Sequence, residues 1–221
     1  MARKPPPPLP IAEADLNSDK INGFKDSVDE QILRMALQQF PANNDMEIVT
    51  AKIKLIDFYY STQLFRQAKK INAKGIADRI ISIDSLDRRI AAGDATVGDE
   101  LLAKIPEVNL FSFVSKYLTL HNYYCYSRDD FAIYDIRVRT FLPEYAGIFG
   151  IRLDEIRNRK GYTEFVKIIQ QVIASNNITI DSAHRRLDWF LWLQGEPQNA
   201  VNSVSPTPSC VLYGLCNNWI S

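Results

Sequence analysis

Between residues 27 and 195 apolar positions recur every three to four residues, the period of helices that bury one face. "DSVDEQILRMALQQF" sets Val28, Ile32, Met35 and Leu37 near one face, with Ser27 or Asp29 as N-cap. "DMEIVTAKIKLIDFYYSTQLF" carries a long apolar stripe that Asp45 caps, and "AKGIADRIISI" and "SLDRRIAAG" follow, the second stopped by Gly93. "VGDELLAKI" ends before Pro106, "LFSFVSKYLTLHNYYCY" is apolar and aromatic, and "YDIRVRTFL" ends at Pro143. "YTEFVKIIQQVIASNN" is strongly amphipathic. "DSAHRRLDWFLWLQG" closes the series, with Asp181 or Ser182 as N-cap and Gly195 as stop. The best strand candidate is the short "NITI". The pattern predicts an all-α domain of about eight to ten short helices joined by short loops, with no repeat of fixed period.

Both ends break the pattern. Pro5 to Pro8 reads as an extended, polyproline-like lead-in, so residues 1–17 are expected to form a flexible tail. "PQNAVNSVSPTPSCVLYGLCNNWIS" loses all period, so residues 197–221 read as a polar tail and 18–196 as the ordered domain. A hydrophobic content of 46% and a charged content of 24% place the chain among globular proteins rather than disordered ones. The formal net charge of zero argues against a uniformly basic nucleic-acid binder and leaves room for a local basic face. No apolar run approaches the roughly 18 residues needed to span a bilayer, and no apolar signal region follows "MARKPPPPLP". Cys125, Cys210 and Cys216 are too scattered for a disulfide framework or a zinc site. A cytoplasmic monomer without membrane association is expected.

Candidate chemistry narrows quickly. The chain has no Gly-rich phosphate loop, HExxH, GxSxG or CxxC, and its two histidines, His121 and His184, lie far apart, so no metal or cofactor is expected. What remains is Asp135, a carboxylate placed directly after the apolar pair Ile133 and Tyr134, and Lys116, nineteen residues ahead of it. One apolar helix and the polar aromatic run "HNYYCYSRDD", read as a loop, separate them, so a fold can return both to one cleft. Asp135 reads equally as an N-cap for "IRVRTFL", and Lys116 as a lysine that snorkels from an apolar helix.

"IYDIRVRTFL" resembles the segment V-D-T-H-V-x-R-V of helix–hairpin–helix DNA glycosylases, with Asp135 on the catalytic aspartate and Val138 on the following valine. "LFSFVSKYLTL" is similar to the family's L-P-G-V-G-x-K-T-A, which sets Lys116 on the lysine nucleophile of bifunctional members. "LIDFYYSTQLFRQAKKINAKGIADRI" is similar to the early helix, with Gln63 on the glutamine that fills the gap left by an extruded base. Three segments match in order over about residues 50–142. The departures are specific. Ser112 and Val114 stand where the hairpin glycines belong, and Val resists positive φ. A second register sets "IPEVN" on the hairpin with Asn109 left-handed, and loses the lysine match. Phe58 stands near the glutamate of adenine glycosylases.

The resemblance implies a compact multi-helix domain of glycosylase type without an iron–sulfur cluster, because the four-cysteine loop of endonuclease III-like members is missing. It implies a DNA N-glycosylase that cleaves the bond to a damaged or modified base flipped from double-stranded DNA, with strand-cutting lyase activity if Lys116 forms a Schiff base. The short chain and its aromatic run also look like small bacterial glycosylases of phage defence. That likeness implies a hypermodified phage base such as glucosylated hydroxymethylcytosine as the target.

Those residue types suit the reaction. Breaking the C–N bond builds positive charge at the anomeric carbon, which a pre-placed Asp135 carboxylate stabilises, and a helix N-terminus favours its charged form. Lys116 needs a partly neutral amine, which burial or a nearby cation provides. Tyr60, Tyr123, Tyr124 and His121 are candidates to line the base pocket. Arg66, Arg137 and Arg139 are candidates to meet phosphates, with "RNRK" as a further basic cluster. The missing hairpin glycines support an alternative from another class, a non-catalytic helical DNA-binding or interaction module that keeps the fold.

Overall fold

The computed structural model describes residues 4–25, 27–62, 64 and 70–195, and among these it contains twelve helices and no strand. In chain order they are α1 (Glu13–Leu16), α2 (Asp19–Lys25), α3 (Val28–Gln39), α4 (Met46–Tyr60), α5 (Ala73–Ile81) and α6 (Leu86–Ala91). The second half holds α7 (Thr96–Lys104), α8 (Phe111–Tyr126), α9 (Ile136–Ala146), α10 (Gly150–Asn158), α11 (Tyr162–Ser175) and α12 (Ala183–Gln194). Short polar side chains start several of them. Ser27 accepts from the Glu30 N–H, Asp45 from Ile48, Asn72 from Gly75 and Asp135 from Val138, each satisfying a helix N–H that has no partner within its own helix.

Helix α8 is the axis of the domain. Twelve of its residues are buried, so it is enclosed on every side rather than laid on a surface. α3, α4, α6 and α7 pack directly against it, while α9 packs against α10, α11 and α12. One continuous apolar core runs from Ile11 to Leu191, and a satellite of Ile21, Phe24 and Trp189 ties α2 to α12.

Several elements differ from the sequence reading, each for a physical reason. On α3 the buried face is Glu30, Leu33 and Leu37, while Val28, Ile32 and Met35 are exposed. Periodicity chose the other stripe because an acid occupies a core position. The segment read as a flexible lead-in contributes Ile11 and Leu16 to the core, Leu9 N–H donates to the Glu144 carbonyl (2.9 Å), and α1 packs on α12, so packing reaches well before residue 18. The run "HNYYCY" is the last part of α8 rather than a loop, and the chain turns only at Ser127, in the left-handed region. α9 passes through Pro143 and stops at Gly147, whose positive φ allows its N–H to close onto the Pro143 carbonyl. "NITI" forms no strand.

The extended segment from Phe131 to Tyr134 positions the candidate site, because it delivers Asp135. All four residues are buried. The Tyr162 hydroxyl donates to the Ala132 carbonyl (2.9 Å) and accepts from the Ala132 N–H (3.2 Å), so this inner stretch has backbone partners without a sheet. Tyr162 can lie there because Gly98 on α7 leaves room for its ring, which a Cβ would overlap. Gly98→Ala is therefore expected to destabilise. The overlap costs about 3 kcal/mol, the better helix former returns about 1 kcal/mol, and the net loss of about 2 kcal/mol lowers the thermal midpoint by about 4–8 °C. Thermal unfolding followed by circular dichroism measures it.

Candidate functional site

Ser115 and Tyr134 stand one residue ahead of Lys116 and Asp135, and they are joined. The Ser115 hydroxyl accepts from the Tyr134 N–H (2.9 Å) and donates to the Ser112 carbonyl (2.9 Å), with the Tyr134 carbonyl also in reach (3.4 Å). Phe111 meets the Tyr134 ring edge-on with centroids 5.1 Å apart. These contacts fix the end of the extended segment against α8, and so bring Asp135 beside Lys116. Asp135 Oδ1 caps α9 through the Val138 N–H (2.9 Å). Lys116 Nζ donates to Ser112 Oγ (3.1 Å) and lies over the Tyr60 ring, 5.6 Å from its centre.

Lys116 is only 5% exposed. Burial lowers the pKa of its amine, against which the Asp135 carboxylate is the strongest charge pulling back up, followed by Asp188. The sequence reading did not name Asp188, nor Arg185, which holds it, nor Glu30. Arg185, 1% exposed, donates from Nη2 to Glu30 Oε1 (2.5 Å) and to the Tyr60 hydroxyl (2.5 Å), and from Nη1 to Asp188 Oδ2 (2.5 Å). Its guanidinium also lies over the Trp189 ring at 4.8 Å. Tyr60 donates to Glu30 (2.7 Å), and the Tyr124 hydroxyl donates to the other Glu30 oxygen. Asp129, in the turn after α8, accepts from the His184 and Arg185 N–H groups (2.6 and 3.1 Å) and so anchors the start of α12 that carries Arg185 and Asp188. The result is one cluster from four helices and the N-cap of α9, with Lys116 and Arg185 over the same Tyr60 ring and the half-buried Asp135 and Asp188 at its edge.

The other expected residues divide. Tyr60 and Tyr124 belong to the cluster, and Tyr123 packs edge-on against Tyr124 with centroids 5.1 Å apart. His121 belongs to a different buried group. Its ring stacks on Tyr117 (4.2 Å), its Nδ1 faces the Tyr117 carbonyl (2.8 Å), and burial with the nearby Lys52 charge pushes it down to about 3. There Lys52 donates to the Ala42 carbonyl and to Asn43, and burial lowers it to about 8. Arg137 lies over the Trp192 ring at 5.6 Å, and Arg139 forms a two-pronged pair with Asp154 (2.6 and 2.9 Å). In "RNRK", Arg159 pairs with Glu164, and Lys160 donates to the Leu102 and Ile105 carbonyls (both 2.8 Å). Gln63 and Arg66 lie outside the described residues.

The α7–α8 turn spans residues 105–110, so Ser112 and Val114 lie in the first turn of α8. The turn holds "IPEVN", and Asn109 in it does not have a positive φ; its side chain accepts from the Phe111 N–H (3.1 Å) and donates to the Arg157 carbonyl (3.0 Å). Two surface clefts, of about 620 Å³ beside Lys160 and Lys167 and about 420 Å³ beside Lys70 and Arg79, are lined by other residues than the cluster. Among the described residues, no three His, Cys, Asp or Glu side chains are placed to hold a metal ion, and no helix is long and apolar enough to cross a membrane.

A family model described as HI_0787_N, N-terminal domain, matches residues 16–129, just over half of the chain. The chain belongs to this family. The matched stretch runs from the end of α1 to Asp129, so it contains Glu30, Tyr60, Lys116 and Tyr124, while Asp135, Arg185 and Asp188 lie beyond it. No curated protein and no solved structure matches the chain.

Proposed function

We propose that this protein is a DNA N-glycosylase of helix–hairpin–helix type, which releases a modified base flipped from the duplex. The observation that carries the reading is that the bonds of Ser115 to Tyr134 set Asp135 near enough to the buried Lys116 for its carboxylate to be the strongest charge favouring the ammonium. As the bond from C1′ to the base breaks, its electron pair leaves with the base, and the Asp135 carboxylate stabilises the positive charge left on the sugar. Water then adds to C1′. The Lys116 amine, lowered by burial, condenses with the aldehyde form of the resulting abasic sugar, releasing water and forming an imine. The target is a hypermodified phage base, with glucosylated hydroxymethylcytosine the first to test. Arg137 and Arg139, in the first turn of α9, stand next to Asp135 in sequence, where phosphate contacts would orient the strand.

The test is to incubate the protein with phage DNA carrying glucosylated hydroxymethylcytosine and with unmodified DNA, and to count abasic sites. Sites that accumulate on the modified DNA alone support the reading, and background counts on both reject it for this base. Lys116→Ala is expected to abolish covalent trapping to abasic DNA by borohydride while base release continues; trapping that persists in the variant removes the imine role. The burial of Lys116 favours a second reading, a non-catalytic DNA-binding module in which the lysine only supports the cluster. That reading predicts salt-dependent DNA binding without abasic sites on any substrate.

A further inference from the structure

Asp188 and the buried Glu30 are the carboxylates of this cluster that the glycosylase reading has not used, and of the two Asp188 lies at its edge. It lies in the second turn of α12, where the helix N–H groups are bonded to their own helix, whereas Asp135 at the start of α9 takes a backbone N–H. Its Oδ2 is held by Arg185 at 2.5 Å, and 12% of its side chain remains exposed. The groups that face it are Arg185 on its own helix, Glu30 on α3, Tyr60 on α4, Lys116 on α8 and Asp135 at α9. Two neighbouring acids in a buried place do not both carry charge cheaply, and the one without backbone donors keeps the proton. Burial pushes the Asp188 carboxyl up, Arg185 pulls it back, the Asp135 charge pushes it up again, and it comes to about 7.

We propose that Asp188 is the second working carboxyl of the site, giving its proton to the base as the base leaves. The inference rests on the glycosylase reading and deepens it. The C1′–N bond breaks with its electron pair going to the base, and the proton on Asp188 moves to the base, which departs neutral. Asp188 is left as a carboxylate beside Arg185, and Asp135 faces the cationic sugar. Such a division of labour suits a base that is a poor leaving group as an anion.

The experiment measures base release from glucosylated-hydroxymethylcytosine DNA across neutral pH for wild type, Asp188→Asn and Asp135→Asn. The acid form is the active one, so wild-type release is full below pH 7 and falls as pH rises through about 7. Asp188→Asn keeps the bond to Arg185 but has no proton to give; its release is expected to be about 100-fold slower below pH 7 and to lack the step. An Asn variant that retains the wild-type rate and step overturns the Asp188 proposal while the glycosylase reading stands on wild-type release. Absence of release by wild type overturns both. A carboxyl-carbon nuclear magnetic resonance titration is independent of turnover. One aspartate titrating near 7, missing in Asp188→Asn, is the expected result, and no such carboxyl in wild type rules the proposal out.

Discussion

Arg185→Met is expected to be the most destabilising single change in the protein, costing about 3–5 kcal/mol. Arg185 is 1% exposed and joins Glu30 of α3 to Asp188 of its own helix, with the Tyr60 hydroxyl as a third partner. A surface ion pair is worth about 0–1 kcal/mol, because water solvates whichever partner remains. Here Glu30 would stay in the core with only two tyrosine hydroxyls, and Asp188 would lose its one cation of α12. A change of that size corresponds to a fall of about 6–20 °C in the thermal midpoint. The loss should depend on pH with a definite sign. Asp188 already has a folded pKa above its unfolded value, and removing Arg185 pushes it further up. Its contribution to stability is therefore fully present in acid and is lost as pH rises, so the deficit of the variant grows from acid to neutral pH. Adding Glu30→Gln should recover part of the loss, since its amide oxygen still accepts from one tyrosine hydroxyl, its NH2 donates to the other tyrosine oxygen, and it brings no charge. Urea unfolding at two pH values measures all of this, and a loss below about 1 kcal/mol at neutral pH would mean that the network is solvated.

That network also explains what the sequence did and did not reveal. Helices with regular apolar stripes and clear stops were legible, including α6 with its Gly93 stop and α11. The buried face of α3 was not, because Glu30 occupies a core position that apolar periodicity counts as surface. Glu30 also sits three residues after the Ser27 cap, where a glutamate ordinarily reads as helix-start chemistry. Arg185 and Asp188 look like a solvated charged stretch of α12, and only the arrival of α3 and α4 makes them interior. Their one sequence signal is weak: a charged pair three residues apart at the start of a helix that turns apolar and aromatic after it. Lys116 and Asp135 could be paired from sequence through a family likeness, and the Ser115–Tyr134 bonds that bring them together are long-range contacts without a local pattern. His121 shows the converse. From sequence it reads either as a pocket residue or as a structural histidine, and its ring stacks on Tyr117 with the Lys52 charge nearby.

Asp135 is both a cap and the proposed catalytic carboxylate, and two substitutions read with two measurements separate those roles. Asparagine caps a helix about as well as aspartate, so Asp135→Asn is expected to keep the Val138 bond and to change stability by less than about 0.5 kcal/mol. Alanine removes the cap, so Asp135→Ala should cost about 1 kcal/mol. Under the glycosylase proposal, base release depends on charge rather than on capping. Both variants lose the carboxylate that faces the developing sugar cation, so both should be slower by about 100- to 1,000-fold, the usual scale for one electrostatic contact in a closed site. If Asp135 only capped α9, activity would instead follow stability, with the asparagine variant near wild type and the alanine variant impaired. The same substitution reaches Lys116. Asp135 is the strongest charge holding that lysine as ammonium, so Asp135→Asn lets its pKa fall further. Borohydride trapping on DNA that already contains an abasic site bypasses base release, and its onset should move to lower pH in Asp135→Asn. Slow base release together with earlier trapping is a combination that neither a lost cap nor a generally weakened fold produces, because both of those depress the two readouts together.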